Sequence, residues 1–260
     1  MRYDLFVSYR RKDSDWVLPL VEKLRRAHGL RIWLDQSDIE SFESSTAAIA
    51  NGLANSRAML AWYSATYPES RPCQWELTNG FLAAARHGAP AERVLVVNPE
   101  PGNAHIHPLE LRDQNFQSVV GTAPQQLDPA ARAIAQHLRT LGPTTLGESR
   151  RLAGPHWYGR SPVSSNRFVG RLAALWRIHS GLHGIEHGIV ARESVPVVQV
   201  RGLGGLGKSL LAEEYALRFG AAFPAGVFWL QAPGLGGTEA RLVRAAGCCI
   251  ARGPTPSDGY

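Results

Sequence analysis

Two groups of residues in this sequence have the types and spacing that chemistry uses. The first is one carboxylate, Glu76, in the run Ser70-Arg71-Pro72-Cys73-Gln74-Trp75-Glu76-Leu77. On a helix, Cys73, Leu77, Gly80 and Ala84 share a stripe that reads as the core face, with Trp75 on the far side and Glu76 at the stripe's edge. A carboxylate at the border of a buried face is partly desolvated and still within reach of a cleft. Ser70 suits an N-cap and Pro72 a first helical turn, so Glu76 stands about one turn from the positive end of the helix dipole. Helical position alone, however, favours an ordinary boundary glutamate. The second group is Gly202-Leu203-Gly204-Gly205-Leu206-Gly207-Lys208-Ser209, which fits G-x-x-x-x-G-K-[ST] at every position. Glycines let backbone N–H groups turn inward around phosphates at a helix N-terminus. Gly202, Gly204, Gly205 and Gly207 would form the cradle, Lys208 would meet the β- and γ-phosphates, and Ser209 would hold Mg²⁺, making ATP or ADP the expected ligand. Lys208 is one of only three lysines in a chain that otherwise writes Arg. Hydrolysis also needs an acidic residue at the end of another strand. The only aspartate after Asp128 is Asp258, so little or no ATPase activity is expected.

The elements that must position these residues follow from the apolar pattern. Tyr3 to Ser8 reads as a strand, and Asp13 to His28 as a helix with Trp16, Leu20 and Leu24 on one stripe, closed by Gly29. Arg31 to Leu34 is a second strand. A loop from Asp35 to Ser44 leads to a helix with Ile49 and Leu53 inward. Arg57 to Tyr63 is a third strand, followed by a helix from about Arg71 to His87. Strands at Arg93 to Val97 and Phe116 to Val120 precede a helix from Ala130 to Leu141. Strands alternating with helices imply a parallel α/β sheet, here a flavodoxin-like doubly wound sheet of five strands. Such sheets bind ligands beyond the carboxyl ends of their strands, which points to Ser8, Tyr9 and Arg10. Residues 142–166, rich in Pro, Gly, Ser and Thr, read as a linker. A second module, from 167 to 260, is expected to hold a helix from Gly170 to about Leu182 and a strand from Val195 to Val200. The phosphate loop and its helix follow, then a strand from Val227 to Leu230. It is short for a complete P-loop domain, so a longer chain is expected.

Composition narrows the classes. The chain has 260 residues, 44% of them hydrophobic and 19% charged, enough for two packed domains. The net charge of +6 comes from scattered arginines without a basic run, which argues against nucleic acid as a partner. Cys73, Cys248 and Cys249 have no CxxC spacing and suggest a reducing compartment. No signal peptide or membrane span is apparent, so a cytoplasmic location away from membranes is expected. His179, His183 and His187 recur at metal-ligand spacing, but glycines interrupt their helix. His105 and His107 read as surface histidines beside Pro108, and Cys248 with Cys249 as helix-core residues. No GxSxG elbow supports a serine hydrolase.

The first 140 residues resemble TIR domains. The resemblance rests on the opening Tyr3-Asp4-Leu5-Phe6-Val7-Ser8-Tyr9-Arg10, on the Ser70–Leu77 box, and on Asp35-Gln36-Ser37-Asp38-Ile39-Glu40 at the place of the family's mobile loop. Pro72 stands where the family usually has Trp, and Phe42 where the loop usually has Gly. The resemblance implies that Glu76 cleaves NAD⁺ into nicotinamide and ADP-ribose or a cyclic form. It also implies that Tyr9, Arg10, Asp38 and Phe42 line the substrate cleft and that the domains self-associate. The second half resembles the nucleotide-binding modules of STAND and NB-ARC switch proteins, through Phe168-Val169-Gly170-Arg171, the phosphate loop and Val227-Phe228-Trp229-Leu230. Together they resemble bacterial immune sensors, in which an unidentified trigger drives nucleotide-dependent assembly and the TIR domains then consume NAD⁺. A TIR scaffold without catalysis, or a nucleotide-dependent assembly switch, remains the alternative.

Overall fold

The computed structural model describes residues 2–34, 45–88, 90–113, 117–119, 124–147, 156–159, 170–183, 197–203, 205–223, 225–230 and 241–242. The chain divides into two compact units: residues 1–153 with 169–180, and residues 154–168 with 181–260.

The first unit is built on a five-stranded sheet, β1 (Tyr3–Ser8), β2 (Ile32–Leu34), β3 (Ser56–Trp62), β4 (Val94–Asn98) and β5 (Gln117–Ser118). The strands run in the order β2-β1-β3-β4-β5, all neighbours parallel. α1 (Ser14–His28) ends at Gly29, whose φ of +66° is the left-handed cap that glycine adopts without a Cβ penalty. α2 (Ser45–Ala54), α3 (Arg71–Ala85), the short α4 (Pro90–Arg93) and α5 (Leu109–Arg112), and α6 (Pro124–Thr140) complete the alternation. In α2, Ala48 and Leu53 turn inward, whereas Ile49 is only partly covered.

Strand parity decides what each face carries, because successive side chains point to opposite sides of a sheet. Leu5, Val7 and Tyr9 pack with Val17, Leu20, Val21 and Leu24 of α1 and with Ile134 and Leu138 of α6. Phe6 therefore faces the other way. It stacks on Trp33 with ring centroids 4.6 Å apart. On that second face two glycines let helices approach closely. A Cβ at Gly52 would lie 2.4 Å from the Trp33 ring, and one at Gly80 would lie 2.4 Å from Met59 Sδ. Ser8 has the same parity as Phe6, so it too belongs to the face covered by α2 and α3.

The segment expected to begin a loose linker is tied down at its start. Leu146 is fully buried, and its N–H donates to the Ser56 carbonyl at 2.7 Å. The Gly147 N–H reaches the Ala54 carbonyl at 2.8 Å. The carbonyls where α2 ends and β3 begins need donors, and the chain after α6 supplies them. Arg57 binds the carbonyls of Leu138, Leu141 and Gly142, and Arg93 that of Thr144. The helix expected near Gly170 is α7 (Leu172–His183). Its residues up to Ser180 group with the first unit, because Trp176 and His179 set their rings edge-on to Phe81 of α3. His179 is thus a core histidine among aromatics. His187 lies outside the described residues.

The second unit contains β6 (Trp157–Gly159), α8 (Lys208–Phe219), β7 (Val227–Leu230) and β8 (Arg241–Leu242). β6 runs parallel to β7 and β8 antiparallel to it. Of the strand expected over Val195 to Val200, the described residues 197–200 form no strand, and Val197 is 82% exposed. Both edges of β7 are occupied, by β6 and by β8. β6 falls inside the stretch expected to be linker. The described part of the chain holds no helix long and apolar enough to cross a membrane.

Candidate functional site

Glu76 is placed by the start of α3. The Ser70 side chain accepts from the Cys73 N–H at 3.4 Å, and Pro72 occupies the first turn, as their residue types favour. Glu76 lies just beyond, and the sequence pattern underestimates its burial. It is only 6% exposed, and Gln74, Thr78, Leu82 and Ala83 are buried with it. The buried band of α3 is therefore wider than the stripe through Cys73, Leu77, Gly80 and Ala84, while Trp75 is 40% exposed as expected.

A buried carboxylate needs donors. One comes from the end of β1, where Ser8 Oγ donates to Glu76 Oε2 at 2.5 Å. Ser8 Oγ also lies 2.7 Å from the hydroxyl of Tyr67, which reaches the Cys73 carbonyl at 3.2 Å. Tyr67 opens a 3₁₀ turn (Tyr67–Glu69) between β3 and α3 and packs on Tyr63 with ring centroids 4.6 Å apart. The Cys73 thiol donates to the Tyr9 carbonyl at 3.4 Å, so the first turn of α3 is held against the chain leaving β1. Arg10 Nη1 donates to the Thr66 carbonyl at 3.0 Å and to Glu69 Oε2 at 2.7 Å, closing a bracket between the same two segments. Ser64 Oγ donates to buried Asp13 at 2.7 Å, fixing the end of β3 to the start of α1.

Burial sets the protonation of the cluster. It pushes the Cys73 thiol up to about 12, with the nearby Glu76 charge adding to the effect. It pushes the Tyr67 hydroxyl well above its ordinary value, aided by Cys73 and Glu76, and Tyr63 moves the same way through burial. Tyr67 and Cys73 therefore remain proton donors at neutral pH. Burial, followed by Arg112, pushes His107 down. His105 and His107 are half-buried, not surface residues: His105 Nε2 meets the Tyr63 carbonyl at 2.9 Å, and the His107 N–H meets the Tyr63 hydroxyl at 3.4 Å. Among the described residues, no group of three or more His, Cys, Asp or Glu side chains could hold a metal ion.

Of the residues expected at the site, the structure brings Glu76 and Arg10 to the carboxyl ends of β1 and β3, whereas the Tyr9 side chain packs with Leu5 and Val7 on the α1 and α6 face and only its carbonyl meets Cys73. Asp38 and Phe42 lie outside the described residues. Sequence reasoning missed Tyr67 and the Asp13–Ser64 pair. The parity of β1 was the available signal for Ser8, and the aromatic pair Tyr63 and Tyr67, four residues apart, was a weak one for Tyr67.

A family model of the TIR domain matches residues 5–135. The chain belongs to the TIR domain family. The match spans β1 through most of α6, so Glu76 and its partners all lie within the TIR domain. A search of solved structures returned the TIR domain of the Toll-related receptor TRR-2 from Hydra magnipapillata. It is 19% identical, with a TM-score of 0.41, over 53% of this chain and 99% of that one. It also returned the TIR domains of the activated Roq1 resistosome that directly recognises the pathogen effector XopQ. These are 17% identical, with a TM-score of 0.36, over 57% of this chain and 93% of that one. No curated protein matches the chain.

The phosphate-loop motif lies outside the TIR match. Gly205 and Gly207 have φ of +75° and +74°, and Gly207 caps the N-terminus of α8, which opens at Lys208. Lys208 Nζ folds back over the loop, donating to the carbonyls of Gly202 at 2.9 Å and Leu203 at 2.7 Å. Ser209 follows in the first turn. Gly204 lies outside the described residues.

Proposed function

We propose that the TIR domain of this chain is an NAD⁺ glycohydrolase with Glu76 as its catalytic carboxylate and Arg10, Asp38 and Phe42 lining the cleft. The observation that carries the reading is a carboxylate only 6% exposed, held by Ser8 at 2.5 Å where the strands of a TIR sheet end. Most glycosidases need a second carboxyl group to protonate a poor leaving group. NAD⁺ does not. When the bond between ribosyl C1′ and the nicotinamide nitrogen breaks, its electron pair cancels the pyridinium charge, and neutral nicotinamide departs. The positive charge moves to C1′, where a desolvated carboxylate stabilises it. Water then adds and releases a proton to give ADP-ribose; a nucleophile elsewhere on the substrate gives a cyclic form instead.

Nicotinamide release by the full chain, free and artificially clustered, tests this against Glu76→Ala. Wild-type protein should release nicotinamide, most when clustered, and the variant should not. If NAD⁺ stays intact in both states, the domain is a scaffold that recruits partners without catalysis. Clustering belongs in the test because the reading includes control by self-association, in a sensor of the anti-phage kind.

Folded Lys208 and the left-handed glycines before α8 support a nucleotide-binding role for the second unit. The Lys208 ammonium, held by two carbonyls, is poised to exchange them for phosphate oxygens. Gly202, Gly204, Gly205 and Gly207 would give the phosphates close backbone approach, and Ser209 would hold Mg²⁺. ATP and ADP supply phosphate charge whose presence or loss could govern assembly. Binding of ATP or ADP that disappears in Lys208→Ala supports the role; equal binding by both proteins removes it.

A further inference from the structure

The oxygens that converge on Glu76 form a file: Glu76 Oε2, Ser8 Oγ at 2.5 Å, the Tyr67 hydroxyl 2.7 Å beyond, and the Cys73 carbonyl 3.2 Å beyond that. Ser8 is 1% exposed, Tyr67 0% and Cys73 3%, so water does not compete along it. Each hydroxyl carries one hydrogen. With Glu76 ionised, Ser8 donates to Glu76, and Tyr67 donates either to Ser8 or to the Cys73 carbonyl. With Glu76 protonated, the bonds to Ser8 reverse: Glu76 donates to Ser8, Ser8 to Tyr67, and Tyr67 to the Cys73 carbonyl. The two states differ by the one proton on Glu76. The carbonyl at the far end is what allows the second state to close.

We propose that Ser8 and Tyr67 are positioning residues for Glu76, a hydroxyl relay that holds the carboxylate in one orientation in both protonation states and favours the ionised one. The ionised arrangement is favoured because its terminal bond is charge-assisted, and donation by Tyr67 makes Ser8 a stronger donor. The titratable and charged groups facing the relay are Tyr63 and Tyr67 from the β3–α3 connection and Cys73 from α3 itself. Arg10, ion-paired to Glu69, faces it from the chain after β1. The relay's role in turnover rests on Glu76 being the catalytic carboxylate, whereas its effect on Glu76 protonation does not.

The test follows the carboxyl carbon of Glu76 by NMR in the full chain labelled at glutamate δ-carbons, with the signal assigned by its loss in Glu76→Gln. Ser8→Ala should raise the titration midpoint of Glu76 by about one to two units, the worth of one charge-assisted hydrogen bond. Tyr67→Phe should raise it by about half a unit. Tyr67→Phe removes a single oxygen and carries the test alone if Ser8→Ala does not fold. In parallel, the acidic limb of kcat for NAD⁺ cleavage should move by the same amounts with KM unchanged. A midpoint that stays at its wild-type value in a folded variant overturns the relay. A midpoint that moves in a protein that never cleaves NAD⁺ upholds the relay and removes the glycohydrolase reading. Cleavage with an unmoved midpoint does the reverse.

Discussion

Replacing Glu76 with glutamine measures how much a single charge contributes. Glutamine has nearly the shape of glutamate, and its amide oxygen can still accept from Ser8, so the fold should persist and only the charge should go. A unit negative charge about 4 Å from a unit positive charge at C1′ is worth roughly 4 kcal/mol at an effective dielectric of about 20, and about 1 kcal/mol in bulk water. The 6% exposure of Glu76 selects the first figure. At 1.36 kcal/mol per decade, Glu76→Gln should lower kcat about a thousandfold, against roughly fivefold for an exposed carboxylate. Single-turnover release of nicotinamide, with substrate saturating, reads the chemical step directly. The melting temperature should stay level or rise, because a buried charge has been removed. A loss of less than about tenfold in a protein of wild-type stability would refute the argument, since the carboxylate would then act through water or not at all.

Other outcomes follow from the packing and the burial. Gly52→Ala drives a Cβ into the Trp33 ring, and overpacking of about 1–3 kcal/mol should outweigh roughly 1 kcal/mol gained in helix propensity. Thermal melts should show the loss, and Trp33→Leu should relieve it in a double-mutant cycle. Arg57→Ala removes the donor to the Leu138, Leu141 and Gly142 carbonyls and one of the partners of Asp4. It should cost about 1–3 kcal/mol in denaturant titration and hasten thermolysin cleavage in residues 141–147. Cys73 and the tyrosines Tyr63 and Tyr67 have folded pKa values above their unfolded ones. Their contribution is intact below pH 9 and is lost as pH rises, for Cys73 between about 9 and about 12. Stability should therefore fall through that window, and Cys73→Ala should flatten the slope between pH 9 and 11; an unchanged slope would assign the loss elsewhere.

The fold of the TIR domain was largely readable because its signals are local. The apolar runs of β1 to β4, the stripe of α1 and Gly29 each declare an element within a few residues. Glu76 was readable as a residue in a box, but not as a buried one. Its burial depends on contacts with Ser8 and on the lining around α3, which sequence spacing along one helix does not encode. Tyr67 was invisible for the same reason: 59 residues separate it from its partner Ser8. The apolar pattern of Val195 to Val200 promises a strand, yet residues 197–200 form none, because strand pairing depends on distant partners that a local run does not encode. The segment after α6 looked loose from its glycines and prolines, yet its polar backbone meets carbonyls left open where α2 ends and β3 begins.

The close seating of Gly80 on Met59 turns the protein's chemistry into a clock for its own breathing. Besides Met1, Met59 is the chain's only methionine, and it is fully buried beneath the helix that bears Glu76. Its thioether cannot gain an oxygen while the helix is down, because there is no room for the atom. Peroxide should therefore mark Met59 only during moments when α3 lifts from the sheet. The rate of sulfoxide formation, read by mass spectrometry, becomes a count of those moments. A clustered protein whose count changes would reveal that assembly is felt one turn away from the carboxylate.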